Sequence, residues 1–178
     1  MSDPAQRCVA LYTFGLLKAP LGSEELREFA IMSPSVFGEA GASKGFIANA
    51  AAARPDLKGQ AGLGTDYGPW GVGVAPRFYT GGTRPGEVTM MHTLSLWQDV
   101  EAAKRFVYNG LHRTALKRRY DWFVKGAFPG YVLCGSLPAD FPPGEKAQEI
   151  WKRWLITAVR LLPSPSPILS LIRARLVH

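Results

Sequence analysis

Residues 93–123 read TLSLWQDVEAAKRFVYNGLHRTALKRRYDWF, and this stretch decides the fold. It opens inside an alternation: Val88, Met90, His92, Leu94 and Leu96 on one side, Thr89, Met91, Thr93, Ser95 and Trp97 on the other. A period of two over 87–97 predicts a strand. Both its faces are largely apolar, so both are expected to be covered. Asp99 stands where a helix N-cap belongs, because its carboxylate can accept from the free amides of a first turn. Val100, Ala103, Val107 and Leu111, joined by Ala115 and Trp122, recur at helical spacing. They predict one long helix running on to Lys125.

Working outward, residues 7–16 alternate as a first strand, with Val9, Leu11 and Thr13 opposite Ala10, Tyr12 and Phe14. Pro20 and Gly22 punctuate. Ser23 is placed as an N-cap, Glu24 and Glu25 suit the positive end of a helix dipole, and Leu26, Phe29 and Ala30 give an inward stripe. Pro34 is expected to end that helix, with Ser33 and Pro34 opening a second short one that reaches Glu39. GFIANA, residues 45–50, reads as the second strand. Residues 51–87 hold nine glycines and few apolar runs, which suits a lid or wall over a pocket or, failing that, a tolerated surface insertion. A further strand is expected in 126–135, around Tyr131, Val132 and Leu133. A proline-rich connection follows, then an extra C-terminal helix within 144–178 and a tail of alternating apolar and basic residues.

The order β-α-β-loop-β-α-β-α is that of an α+β fold. Its core is the split βαββαβ unit of ferredoxin-like proteins, an antiparallel sheet with helices on one face, in a single domain over 1–178. No further element large enough to cover the second face is evident, so a homodimer packed sheet to sheet is expected.

With 178 residues, 47% of them hydrophobic and 20% charged, the composition is that of a soluble globular domain. No apolar run is long enough to cross a bilayer, and residues 1–4 do not resemble a signal peptide, so a cytoplasmic location is expected. Cys8 and Cys134 lie in apolar strands and are read as buried free thiols. The net charge of +7 gathers on Arg113, Lys117, Arg118 and Arg119 and again toward the C-terminus. Neither cluster sits in a nucleic-acid motif, so solvated basic faces are expected and nucleic acid is not a predicted partner.

On one continuous helix, Arg105, Tyr108, His112 and Arg119 would share a face. A neutral imidazole can accept or donate a proton, a phenol one turn away can orient it, and a guanidinium can hold a developing oxyanion. His112, Tyr108, Arg119 and Arg77 are therefore the candidate catalytic residues. The alternative for His112 is a ring bonded to backbone or to Tyr108 that stabilises the fold. His92 reads first as a satisfied core histidine; pointing into a cleft, it would pair with His112. Trp97, Trp70 and Phe78 could wall a site for an apolar substrate, with Tyr79 at its mouth; the alternative is ordinary core. Asp66, in the glycine-rich centre of the lid, could serve there as a base or substrate contact; the alternative is a solvated loop carboxylate. The spacings of His and Cys support no metal site, and no dinucleotide, phosphate-loop or nucleophile-elbow motif occurs. A haem on one axial histidine is the cofactor alternative. The apolar and basic tail suits burial against a partner or pocket, with peripheral membrane contact as its alternative.

The same stretch, preceded by PRFY at 76–79, resembles the DUF3291 family of the dimeric α+β barrel group, alongside antibiotic-biosynthesis-type monooxygenases. The pattern is a Ser-x-Trp strand end, an acidic helix start, Phe-x-Tyr, a His four residues on, a double Arg, then Trp-Phe. Here these are Ser95, Trp97, Phe106, Tyr108, His112, Arg118, Arg119, Trp122 and Phe123. Ser43 to Phe46 is similar to the family's Ser-x-Gly-Phe turn. The resemblance implies the barrel fold. It leaves function among cofactor-free oxygenases, haem enzymes, lyases, isomerases and non-catalytic proteins, since fold does not determine chemistry. The expected function is acid–base chemistry without a cofactor on a small apolar, aromatic or polyketide-like metabolite, of monooxygenase, cyclase, isomerase or lyase type. A haem enzyme and a non-catalytic ligand- or partner-binding module are the alternatives.

Overall fold

The computed structural model describes residues 7–57, 64–73, 90–125 and 130–138. Four strands, β1 (Arg7–Leu16), β2 (Phe46–Asn49), β3 (Met90–Trp97) and β4 (Tyr131–Pro138), form one sheet in the order β2-β3-β1-β4. Every neighbouring pair is antiparallel. This is the ferredoxin-like order, and the α+β fold follows from it. The helices are α1 (Arg27–Ala42), α2 (Val100–Val107) and α3 (Gly110–Trp122). The expected C-terminal helix and tail lie outside the described residues.

Strand alternation sorts the side chains onto two faces. Leu11 and Trp97 meet Ala102, Ala103, Phe106 and Val107 on the helix side. Trp97 is fully buried, its indole N–H donates to Ser95 Oγ at 2.9 Å, and Phe106 stacks on it with ring centroids 5.1 Å apart. Burying one such ring stabilises the fold by about 2–3 kcal/mol. Farther along the same side, Leu17, Leu26 and Trp122 close a second cluster, with Phe29 between Trp122 and Phe123. The opposite face carries Cys8, Ala10, Tyr12, Leu94 and Leu96, packed with Ala50, Tyr67 and Trp70.

That opposite face is buried within one chain: Tyr12, His92, Leu94 and Leu96 are each 6–7% exposed. An uncovered sheet therefore no longer argues for a sheet-to-sheet dimer. The premise failed because glycine-rich residues that give no periodic signal still fold back over the strands.

Two helix expectations are corrected. The helix predicted from Asp99 to Lys125 is two helices. Asp99 does cap the first, accepting from the Ala102 amide at 2.7 Å. Asn109 is then extended and Gly110 has φ +52°. The Glu39 carboxylate of α1 enters there and accepts from the amides of Leu111 and His112 at 2.9 and 3.1 Å. A Cβ at Gly110 would overlap that carboxylate. The break turns Leu111 outward, 43% exposed. Conversely, α1 continues through Pro34. The proline costs one helical hydrogen bond, but Leu26, Phe29 and Met32 before Pro34 and Ala40 after it are all held in core clusters.

Candidate active site

Two histidines define two candidate sites, and the sheet separates them. His112 lies on the helix side. Its Nδ1 is 2.9 Å from the Val107 carbonyl, to which it donates, and its ring rests on Phe106 at 4.6 Å. Burial holds its pKa below the ordinary imidazole value, against smaller upward pulls from the Val107 carbonyl and the Glu39 charge. The ring thus joins the end of α2 to the start of α3.

His92 lies on the other face, 6% exposed, and is the one buried polar side chain among the described residues apart from the tyrosines. Tyr67 meets it edge to face with centroids 5.8 Å apart, and the phenol oxygen is 3.5 Å from Nε2. The Tyr12 ring stands 6.4 Å away on β1. Register explains the approach, since Phe14 pairs directly with His92 and Tyr12 with Leu94. Burial pushes the Tyr67 phenol up to about 12, against a smaller opposing pull from Arg54. Tyr12 is raised as well, by burial first and then by the neighbouring phenol. Both hydroxyls are therefore protonated donors at neutral pH, beside a ring able to accept a proton.

A flap brings Tyr67 and Trp70 to this face. Residues 64–73 fold back on themselves through an Asp66–Val72 bridge, with Gly64 N donating to Gly73 O and Gly73 N to Thr65 O, both at 2.8 Å. Tyr67 and Trp70 point inward, 4% and 7% exposed. Gly73 crosses directly over the imidazole: a Cβ there would stand 2.5 Å from His92 Cε1 and 2.9 Å from Nε2. A haem iron needs an open imidazole nitrogen. With the flap closed, the backbone at Gly73 covers the Nε2 edge of His92 and leaves no open position there for a haem iron. Among the described residues, no group of three or more His, Cys, Asp or Glu could hold a metal ion, and no helix is long and apolar enough to cross a membrane.

A family model described as a domain of unknown function, DUF3291, matches residues 8–149. The chain belongs to the DUF3291 family. No curated protein matches the sequence. Among solved structures, NE2512, a protein of unknown function from Nitrosomonas europaea, is 12% identical, with a TM-score of 0.45 over 79% of this chain and 99% of its own. A conserved protein from Methanosarcina mazei Go1 is 10% identical, with a TM-score of 0.43 over 74% and 92%. SnoaB, a cofactor-independent oxygenase from Streptomyces nogalater, is 9% identical, with a TM-score of 0.40 over 73% and 92%.

In this DUF3291 chain the residues expected to work together are dispersed. The polar stripe required an unbroken helix. With the break, Tyr108 ends α2 and is 52% exposed. Arg119 is exposed, donating to the Leu116 carbonyl and lying over Tyr120. His92 and His112 cannot pair across the sheet. Trp97 belongs to the helix-side core and walls nothing near His92. Asp66 is exposed, and its carboxylate accepts from the Gly68 amide at 2.8 Å, which makes it a turn residue. Arg77, Phe78 and Tyr79 lie outside the described residues, as does the Cys134 side chain; Cys8 is buried, 2% exposed. His92 and Trp70 do share one face. The sequence reading did not place Tyr12, Tyr67 or Gly73 at the site. The parity of Tyr12 along β1, taken with that of His92 along β3, was the available signal.

Proposed function

We propose that the chain is a cofactor-independent enzyme in which His92 accepts a proton from a small, largely apolar, aromatic or polyketide-like substrate. The observation that supports this reading is a buried imidazole beside two protonated phenols in an apolar, aromatic setting. Leucine would fill such a position without the desolvation cost of a polar ring. Tyr67 and Tyr12 donate to the oxyanion that forms as the substrate's acidic C–H or O–H gives its proton to His92. The apolar side chains of this face, Leu94, Tyr67 and Trp70 among them, would suit a flat hydrocarbon body admitted by lifting the flap.

The resulting carbanion or phenolate can isomerise, cyclise, eliminate or meet dioxygen. In the oxygenation branch, a CH2 flanked by activating rings loses a proton, adds O2 and takes up a proton as a hydroperoxide. Loss of water then leaves a carbonyl: one oxygen atom is retained, the other departs as water, and the substrate's two C–H bonds supply the electrons. A homodimer is part of the reading and rests on the family resemblance; light scattering on the purified protein checks it.

The test is turnover of hydroxylated anthrones and naphthols by purified protein without added metal or flavin, followed by oxygen uptake and product mass. His92→Gln is expected to lose about 100-fold or more, while His112→Asn retains catalysis in whatever fraction folds. Full activity in a folded His92→Gln protein rejects the assignment.

A further inference from the structure

We propose that Arg54 is the latch of the flap over His92 and sets how often that imidazole is uncovered. Arg54 follows a 3-10 turn, Ala50–Ala53, that continues from β2. The turn is anchored at its start: Ala50 is buried in the cluster on the His92 face, and Asn49 caps it, accepting from the Ala52 amide at 2.7 Å. From that base the guanidinium forks onto Asp56, with Nε on Oδ1 at 2.9 Å and Nη2 on Oδ2 at 2.8 Å. The fork leaves Nη1 aimed outward, and it donates to the Asp66 carbonyl at 2.6 Å. Asp66 immediately precedes Tyr67, so the tie acts on the flap next to the phenol that faces His92.

Two chemically different kinds of contact help to hold the flap on the sheet. Its underside is apolar, through Tyr67 and Trp70. An aromatic substrate entering beneath it would replace that burial with its own, so the apolar grip opposes entry only weakly. The Arg54 tie is a charge-assisted hydrogen bond that such a substrate cannot replace. Internal bonds between Gly64 and Gly73, Gly73 and Thr65, and Tyr67 and Gly71 let the flap lift as a unit. The Arg54 side chain is about one-third exposed, at 34%, so water can take over its bonds once the flap rises. Arg54 is a positioning residue: it touches no reacting atom, and its consequence for catalysis rests on the role proposed for His92.

The experiment is modification of the full chain by diethyl pyrocarbonate at neutral pH, with rates at His92 and His112 read separately by peptide mass mapping. In the unsubstituted protein His92 is expected to react more slowly than half-buried His112. Arg54→Ala is expected to raise the His92 rate about tenfold, the equivalent of one charge-assisted hydrogen bond, with His112 unchanged. Arg54→Lys, which can still donate to the Asp66 carbonyl, should restore much of the protection. A His92 rate in Arg54→Ala within about twofold of the parent overturns the proposal. So does a parallel rise at both histidines, which marks general loosening. No substrate enters this assay, so failure of the catalytic reading would leave its result standing.

Discussion

Gly73→Ala is the sharpest perturbation the structure offers. The new Cβ would stand 2.5 Å from His92 Cε1, 2.9 Å from Nε2 and 3.1 Å from Tyr67 Cε2. Carbon atoms settle about 3.5 Å apart, so the imidazole or the flap must retreat by about 1 Å. Overpacking of that kind costs about 1–3 kcal/mol. The Tyr67 oxygen is already 3.5 Å from Nε2, and a further retreat takes the pair out of hydrogen-bonding range. Under the role proposed for His92, a misplacement of this size costs turnover about 100-fold. Gly15→Ala is the matched control. Its Cβ would meet the Phe123 ring at 2.6 and 2.8 Å on the helix side of the sheet. It should lose comparable stability and leave the His92 ring untouched. Urea unfolding measures the first effect, and the ring proton and carbon shifts of His92 measure the second. If Gly73→Ala stays within about 0.5 kcal/mol of the parent and the His92 signals do not move, the flap does not lie where this reasoning puts it.

Three further outcomes follow from the helix side. Glu39→Ala removes the carboxylate that caps α3 and should lower stability by about 1 kcal/mol, with Glu39→Gln losing less, both by urea unfolding. Gly45→Ala combines φ +86° with a Cβ 2.6 Å from that of Ala102, and should cost about 3 kcal/mol or more by the same measurement. His112 titrates lower in the folded chain than its ordinary 6.5, so the unfolded chain binds the proton more readily. Its contribution to stability is full above 6.5 and is lost as pH falls below that value and through the folded one. Unfolding of the parent and of His112→Asn, compared between about pH 8 and about pH 5, should show the smaller loss on acidification in the variant.

Much of the fold was legible because strand parity and turn residues are local. β1 was read with the bounds it has, β2 and β3 to within a few residues, and Asp99 caps as its position implied. The two helix errors have physical origins. Asn109 and Gly110 look tolerable inside a periodic run. What breaks the helix there is Glu39, more than sixty residues away in sequence, reaching two amides that only a glycine leaves open. Pro34 looks like a stop, and core packing on both sides of it carries the helix through. Neither effect has a trace in the local pattern.

The candidate site was less legible for a related reason. The residues that make the family pattern recognisable hold the helix side together: Ser95 accepts from Trp97, Trp97 stacks on Phe106, and Phe106 supports His112. Arg118 ties α3 to Glu28 of α1 and lies over Trp122. A dense pattern in sequence therefore marked a scaffold, where many partners must agree at once. The groups suited to chemistry are sparse by comparison: one histidine on β3, one tyrosine on β1, and a flap whose glycines give no period. They converge only through the pairing of β1 with β3 and the return of residues 64–73 over the face away from the helices. In such a sheet the two sides of one strand divide the work. Thr93, Ser95 and Trp97 build the frame, and His92, one residue out of phase with them, lies beneath the flap.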